Sequence, residues 1–557
     1  MTPKVISHHI FICPFRIDGI GFDFTSYTPG GSWEPFKFEI KAPRDFNERV
    51  YFYDFVYDAL FEDGVEGRPL KQYCIKEYED PTNPKYYTIL GRFKDEGDSV
   101  GGHEIYSLQI DNVTLNIYET GIAVFAFHLN NHDYEKIEDI KRINDLGRRM
   151  YPQFLINNKG TVDILDGSFI PANISISNKK FESYKNWKNK NNEDDLVVEE
   201  DFSKYLDFEK GFGKSKNDKD LLPNTINHFL RTENTIFNYC PLIDDRMFVI
   251  SYIGDISIVE KVFHSEQSEK DQLNKEENGW RSSEDWHNLL FCDHAKNGNH
   301  SSSKLRYELN DSHTYFRWEG YNTLIGVTKD SFIALTRGEA YSDFIRVHCM
   351  TMYFQMVQLC LVQRASILKF SSDAAKLAGD INPRGNDPNL NDLKKLQISY
   401  IRFMNRLHYR EVTAQEQGID LYDMLQEKMR IPDQLKELDD EIQEMVSLTN
   451  MLKVEEDNSV LKRLTNVATI FLIPSLITGF LGMNIINWRP IVSAPWSILG
   501  WITFLIIGAF CLFVIMYGVR SFFKIKEQKK DYLIEFIHVL LYMSIGAIVM
   551  MIILNFT

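Results

Sequence analysis

Apolar positions in this chain follow three patterns in turn: alternation, a three-to-four-residue period, and unbroken runs. DNVTLNIYETGIAVFAFHL (Asp111–Leu129) alternates on either side of Glu-Thr-Gly, which predicts two strands joined by a tight turn. DYEKIEDIKRINDLGRRMY (Asp133–Tyr151) changes period and reads as a helix, with Asp133 as N-cap and Ile137, Ile140 and Ile143 turned inward. RMFVISYIGDISIVEKVF (Arg246–Phe263) and YNTLIGVTKDSFIAL (Tyr321–Leu335) supply further strands. Residues 1–335 therefore read as a mixed α/β domain. Two polar stretches, near 177–220 and 264–304, look like surface insertions or mobile linkers. No internal repeat is evident.

Residues 336–460 read as helical arms and a stalk helix. Within Ile431–Thr465, Leu435, Leu438, Ile442, Met445, Leu448 and Leu452 mark one face of a long helix. No stop signal separates this helix from the apolar run that follows. A continuous helix could carry motion from cytosol to membrane, and a coiled-coil stalk holding subunits together is compatible with it. Neither Leu464–Trp488 nor Pro490–Val519 contains a charge. Both exceed the roughly 20 residues that cross a hydrocarbon core. They place spans at 461–488 and 491–519, joined by an interfacial turn, NIINWRPIVSAPW. A third segment, 533–557, is also long enough to span, with an interfacial or re-entrant helix as the alternative. The basic block RSFFKIKEQKK (Arg520–Lys530) should stay inside. The expected product is a multi-pass protein of the inner (cell) membrane with its N-terminal body in the cytosol.

Charge sharpens this division. The net charge is −16, yet the segment from Leu461 onward holds eight Lys/Arg against three acids, a balance of +5 that leaves Met1–Val460 at −21. So acidic a body argues against direct nucleic-acid binding, which needs a basic footprint. It suits a body that gathers cations near a pore, and equally one that is merely kept soluble. Seven scattered cysteines without CxxC indicate a reducing compartment and no disulfide framework. MTPKVISHHIFICPFR lacks the form of a secretory signal.

Catalytic motifs are missing. FEKGFGKSK (Phe208–Lys216) contains Gly-Lys-Ser, but Phe208 stands where a P-loop needs glycine. His287, Cys292, His294 and His300 cluster in WHNLLFCDHAKNGNH, at spacings that match no zinc pattern, and a hydrated loop is the better reading. No enzymatic activity and no bound cofactor are expected. Arg148-Arg149 is the one adjacent arginine pair; it either holds a phosphate with forked guanidinium groups or complements a helix C-terminus.

The first apolar run ends unusually, in FLIPSLITGFLGMN (Phe471–Asn484). Leu461, Leu464, Ala468, Leu472, Ser475, Gly479 and Met483 share a helical face. Around an axis of several copies, such apolar rings would form a dewetting constriction. Oxygens at Ser475 and Gly479 and an amide ring at Asn484 would follow, able to hold a divalent cation through its waters. Ordinary packing of small residues between membrane helices gives the same spacing. TIFLIPSLITGFLGMN, its short mouth, second span and basic tail resemble the CorA family of divalent-cation channels, as does the stalk with FMNRLHYREVTAQEQGIDLYDMLQEKM (Phe403–Met429) before it. The resemblance implies a pentamer in the lipid bilayer with a CorA-like, funnel-shaped body. It places Gly482, Met483 and Asn484 at the selectivity mouth, Ser475 and Gly479 in the pore, and Leu461, Leu464 and Leu472 at a hydrophobic gate. Mg²⁺ would be a permeant or regulatory ion. Departures stand beside it: Leu481 replaces the usual tyrosine, Pro474 is displaced by one position, and Ile485–Trp496 has Arg489 and no glutamate. The body is also about twice the family's usual size. These features resemble the branch that accompanies type III CRISPR systems in antiviral defence, where a nucleotide messenger, an S-adenosylmethionine–AMP conjugate, opens the pore. The alternative is a constitutive Mg²⁺, Co²⁺ or Ni²⁺ transporter regulated by intracellular divalent cation.

Overall fold

The computed structural model describes residues 4–18, 22–61, 68–93, 102–150, 155–156, 162–163, 171–190, 195–202, 222–230, 237–244, 246–264, 279–294, 302–338, 343–380 and 389–482. The chain opens with β1 (Ser7–Asp18), β2 (Glu34–Pro35), α1 (Pro43–Tyr51), α2 (Asp54–Leu60) and β3 (Leu70–Cys74). Next come β4 (Tyr86–Phe93), β5 (Gly102–Tyr118), β6 (Ile122–Asn131), α3 (Ile137–Gly147) and the short β7 (Leu155–Ile156) and β8 (Val162–Asp163). β9 (Asn173–Ser177), α4 (Tyr184–Lys188), β10 (Leu196–Asp201), α5 (Asn224–Leu230), β11 (Asn238–Pro241) and β12 (Phe248–Gly254) follow. The body closes with α6 (Ile256–Phe263), α7 (Glu284–Leu290), α8 (Ser303–Ser312), β13 (Thr314–Tyr315), β14 (Leu324–Val327) and β15 (Ser331–Thr336). Helices then take over: α9 (Asp343–Met350), α10 (Met352–Asp380), α11 (Asn389–Arg406), α12 (Glu416–Lys428) and α13 (Ile431–Gly482). Two compact units result, Met1–Val446 and Ser447–Thr557.

The first unit is built on a 13-stranded sheet whose main path runs β10-β9-β4-β5-β6-β1-β12-β15-β14-β13. Neighbours are antiparallel except β12 and β15. The hairpin expected around Glu-Thr-Gly is β5–β6, and Gly121 takes φ +79° there, a conformation natural to glycine. Side chains alternate between two buried faces. On one, Phe11, Cys13, Phe15, Phe125 and Phe127 pack with Ile140 of α3, Phe229 of α5, Val259 of α6 and Trp286 of α7. On the other, Ile10, Ile12, Val124 and Ala126 pack with Val56 of α2, Val357 of α10 and Leu421 of α12. The central strands are thus buried on both sides, unlike a half-solvated antiparallel sheet.

Three expectations need correction. The helix after β6 starts at Ile137 with Lys136 at its N-cap. Asp133 does not cap it, because Asn131 Oδ1 accepts from the amides of Asp133 (3.1 Å) and Tyr134 (2.9 Å) and ties that segment into a turn. Arg246–Phe263 is strand only in its first half; Asp255 then accepts from the Ser257 and Ile258 amides and caps α6. The polar stretches are not simply surface loops where they are described. Leu196–Asp201 pairs with β9 at the sheet edge, and Trp280, Trp286, Leu289 and Leu290 are buried in the core.

Helix α10 crosses the second face and is unusually polar for a buried helix. Gln358 Oε1 accepts from Asn116 Nδ2 and, at 3.4 Å, from Tyr118 Oη, and Ser366 Oγ donates to Thr120 Oγ1 at 3.0 Å. Its other side meets the arms: Gln363 Nε2 donates to Leu407 O and Tyr422 Oη, both at 3.0 Å, while Gln426 Nε2 donates to Gln363 Oε1 at 3.2 Å. The expected stripe of α13 is met at its start. Leu438 and Ile442 are buried and Leu435 and Met445 pack beside them, whereas Leu448 is exposed. Against α10 also lies Glu48 of α1, whose carboxyl burial pushes up to about 7, opposed by its hydrogen bond to Gln355. Its folded value exceeds the unfolded one of about 4.3. Its contribution to stability is therefore full below about pH 4.3 and is lost as pH rises through about 7. Glu48→Gln should raise the thermal midpoint above wild type at pH 8, by roughly 1–3 kcal/mol of stability, and flatten the decline between pH 5 and 8. Tryptophan-fluorescence melts of the full chain across that range check this; an unchanged slope would mean that Glu48 is ionised throughout.

Candidate functional site

Two places carry the residues singled out from sequence. The first is the far part of α13. Gly482 is its last residue, and Met483 and Asn484 lie outside the described residues. Leu461, Leu464 and Leu472 are 59–63 % exposed, and Val467 and Phe471 are exposed as well. Ser475 is exposed, and a Cβ at Gly479 would meet nothing within 4 Å. At 100° per residue, Leu461, Leu464, Leu472, Ser475 and Gly479 do share one face. A helix with so broad an exposed apolar face asks for an apolar surround or further helices. Among the described residues, no helix is long and apolar enough to cross a membrane. The expected first span is described only as far as Gly482, and the segments 491–519 and 533–557 lie outside the described residues.

The second place is the end of α3, where the arginine pair sits. Gly147 is required there by close approach, since a Cβ would come within 2.7 Å of the Phe11 ring. Tyr87 Oη donates to Gly147 O at 2.8 Å and fixes the helix end on the sheet. Arg149 is committed to Asp145, one turn back, with Nη2 at 2.7 Å and Nε at 3.2 Å from Oδ1. Asp145 Oδ2 is held by His294 Nδ1 at 2.6 Å. Burial alone would raise this carboxyl; the His294 hydrogen bond and the charges of Arg149, His294 and Arg148 outweigh it and hold the group well below the usual range. Arg148 is 2 % exposed and reaches the opposite way, its Nη2 donating to Cys292 O (3.2 Å) and Phe291 O (3.4 Å) beyond the end of α7. Its Nε and Nη1 are buried and have no hydrogen-bond partner among the described residues. The two arginines therefore differ: Arg149 is paired with the Asp145 carboxylate, and Arg148 braces a helix C-terminus with donors to spare.

Residues 389–520 match the family model of the CorA-like Mg²⁺ transporter protein. Among curated proteins none matches the chain. The CorA-like region takes in α11, α12 and α13 and both charge-free runs, but only 132 of the 557 residues. It supports a divalent-cation transporter or channel at that coarse level, of a family that is generally oligomeric and not enzymatic. The α/β body and the helical region after it fit a CorA-like layout.

The partners of the arginine pair were only half visible beforehand. Asp145 stands four residues before Arg149, a spacing that pairs charges on a helix. His294 comes from 149 positions away, in the stretch read as a hydrated loop. That reading fails for a reason of packing: Trp286, Leu289, Leu290 and Cys292 are all fully buried, and His287 Nδ1 bonds Asn310 Oδ1 at 2.9 Å. Among the described residues no three His, Cys or acids gather as metal ligands, and His300 lies outside them. Asp145→Ala should cost about 3–5 kcal/mol, the usual result of stripping a buried pair of one partner. Because the native carboxyl sits below its unfolded value of about 3.9, its contribution is present above that pH and lost as pH falls through the folded value. The variant should therefore lose less stability than wild type between pH 5 and pH 2. Equal acid sensitivity in urea-midpoint measurements would exclude Asp145 as the source.

Proposed function

We propose that this protein is a homo-oligomeric, pentameric ion channel of the inner membrane whose α/β body opens it on binding a small nucleotide messenger, of the S-adenosylmethionine–AMP type used in type III CRISPR antiviral defence. The observation that carries the reading is the CorA-like match at residues 389–520 placed after a large sheet-based body that lies outside the match. A body of this size needs a task, and sensing is the one its layout supports. Buried amides join the sheet to α10 and α10 to α12, the element before α13. Arg148, with two buried nitrogens unmatched among the described residues, is the group we assign to the messenger's phosphate. Asn484 with Gly482 and Met483 forms the mouth, Ser475 and Gly479 line the pore, and Leu461, Leu464 and Leu472 close it. The family description itself favours a second reading, a constitutive Mg²⁺, Co²⁺ or Ni²⁺ transporter shut by intracellular divalent cation.

Ion flux through purified protein in liposomes separates the two. Flux that appears only with the nucleotide supports the signalled pore. Flux present without it and suppressed by rising Mg²⁺ supports the transporter and sinks the messenger. In either case Asn484→Ala should change conductance while leaving the oligomer intact, and unaltered flux would remove Asn484 from the mouth. Arg148→Lys keeps the charge but loses the fork. It should abolish nucleotide-evoked flux with assembly preserved; persistent flux would leave Arg148 as a helix brace only.

A further inference from the structure

Charge is sorted between two of the helices that follow the sheet. From Leu393 to Arg410, which takes in most of α11, the chain has five Lys/Arg and no acid. From Ile431 to Val446, the opening of α13, it has six acids and one lysine. The two helices touch within one chain, where Tyr400 Oη donates to Asp439 Oδ1 at 3.2 Å. Yet among the described residues no ion pair joins them. Lys395 pairs with Asp392 of its own helix, Arg406 with Glu119 of the sheet, and Asp433 with Arg430.

The unused charges lie on two outward faces of matching pattern. On α11, Lys394, Ile398, Ile401 and Asn405 fall within about 60° of arc at 100° per residue, with Arg402 on the flank. All five are exposed, Ile398 to 51 % and Ile401 to 49 %. The opposite side, with Leu393, Leu396, Tyr400 and Phe403, is buried. On α13, Asp433, Glu437, Asp440 and Glu444 repeat the same 4-3-4 spacing, and Glu441 stands where Arg402 does. These five are exposed as well, while Leu438 and Ile442 are buried behind them. Because both faces are exposed, neither covers the other within one chain. An apolar pair flanked by cations also stands out on a body whose charge over Met1–Val460 is −21.

We propose that this face of α11 docks on the Asp433–Glu444 ridge of α13 in a second copy of the chain. The inference rests on the homo-oligomeric reading above and says where neighbouring bodies touch. Charge complementarity selects the occupant: Lys394 and Arg402 stand about 12 Å apart along one helix, and Glu437 and Glu444 about 10 Å apart along the other. Exposed pairs of this kind add little affinity singly, but they choose the partner and its register. The stems of Lys394 and Arg402 extend the apolar strip of Ile398 and Ile401 while their charged heads reach outward. The two surfaces lie on different helices, so the contact is head-to-tail and repeats from copy to copy, as a closed ring requires. A lipid surface is the poorer occupant. An interfacial helix buries a broad strip of large apolar residues, and this face offers two isoleucines beside Ser399 and Asn405.

The test co-expresses two differently tagged full-length chains, one Ile398→Cys and the other Asp440→Cys, and treats the purified mixed oligomer in detergent with a short bismaleimide. A linked pair carrying both tags is expected, and neither chain alone should form one. Lys394→Glu with Arg402→Glu in the first chain should lower the yield severalfold, and Glu437→Lys with Glu444→Lys in the second should restore it. Raised salt should weaken the link, since the charges are exposed. All these positions lie on the surface, where substitution leaves the fold standing. Light scattering separates the two levels of the argument. A monomer overturns the oligomer and this contact with it, whereas an oligomer that gives no mixed link overturns the contact alone. So does a link that charge reversal leaves unmoved, or one formed between two Ile398→Cys chains. A dye on Ile398→Cys that shifts to the blue only in phosphatidylglycerol vesicles, with no link, assigns the face to lipid instead.

Discussion

The body depends on the way α10 is held. A buried glutamine that lost its partners would cost more than its hydrogen bonds contribute, so each buried amide fixes the elements around it. Gln363 binds the Leu407 carbonyl and Tyr422, and Gln426 returns to Gln363; Gln358 and Ser366 grip the β5 side of the sheet and the turn after it. Apolar contacts alone would allow α10 to slide by a turn over Ile10, Val124 and Ile250. The amides permit one register. The arms after α10 inherit that register, including Gly418, which must approach the Tyr51 hydroxyl so closely that a Cβ would come within 2.4 Å of it.

Local pattern was legible in the sequence wherever one period persisted. The Glu-Thr-Gly hairpin, the Ile137/Ile140/Ile143 face and the Leu435–Met445 stripe all follow from spacing between near neighbours. Reading failed where long-range packing outweighed local polarity. Trp286 to Cys292 sit among charged and amide residues and look like loop, yet Trp286 Nε1 bonds Thr314 Oγ1 at 2.9 Å inside the core. Asp255 was hidden in an apolar run, and only its role as a cap separates strand from helix there. Of the candidate site, the α13 face could be read because helical geometry fixes it, whereas the His294–Asp145–Arg149 cluster joins segments that no spacing relates.

The CorA-like region and the body before it answer to different constraints. Along Leu461–Leu472 the helix exposes apolar residues that only a membrane or other helices could satisfy. In the body, apolar surface is enclosed on both sides of the sheet, and some polar groups form closed sets, such as Asp145 with Arg149 and His294. Other buried polar atoms have no partner among the described residues, Nε and Nη1 of Arg148 among them.

The two-sided burial of β1 also governs how the chain is made. β1 leaves the ribosome well before its partners β6 and β12, and Ile10 and Ile12 are covered by α10 only after residue 352 has been added. At about 5–20 residues per second, the interval from the end of β6 to the end of α10 is on the order of ten seconds or more. Through that interval the apolar residues of β1 and β6 that α10 will cover have no α10 to cover them. The body is therefore a natural client for chaperones, and the apolar C-terminal runs emerge only after its core has had the chance to close.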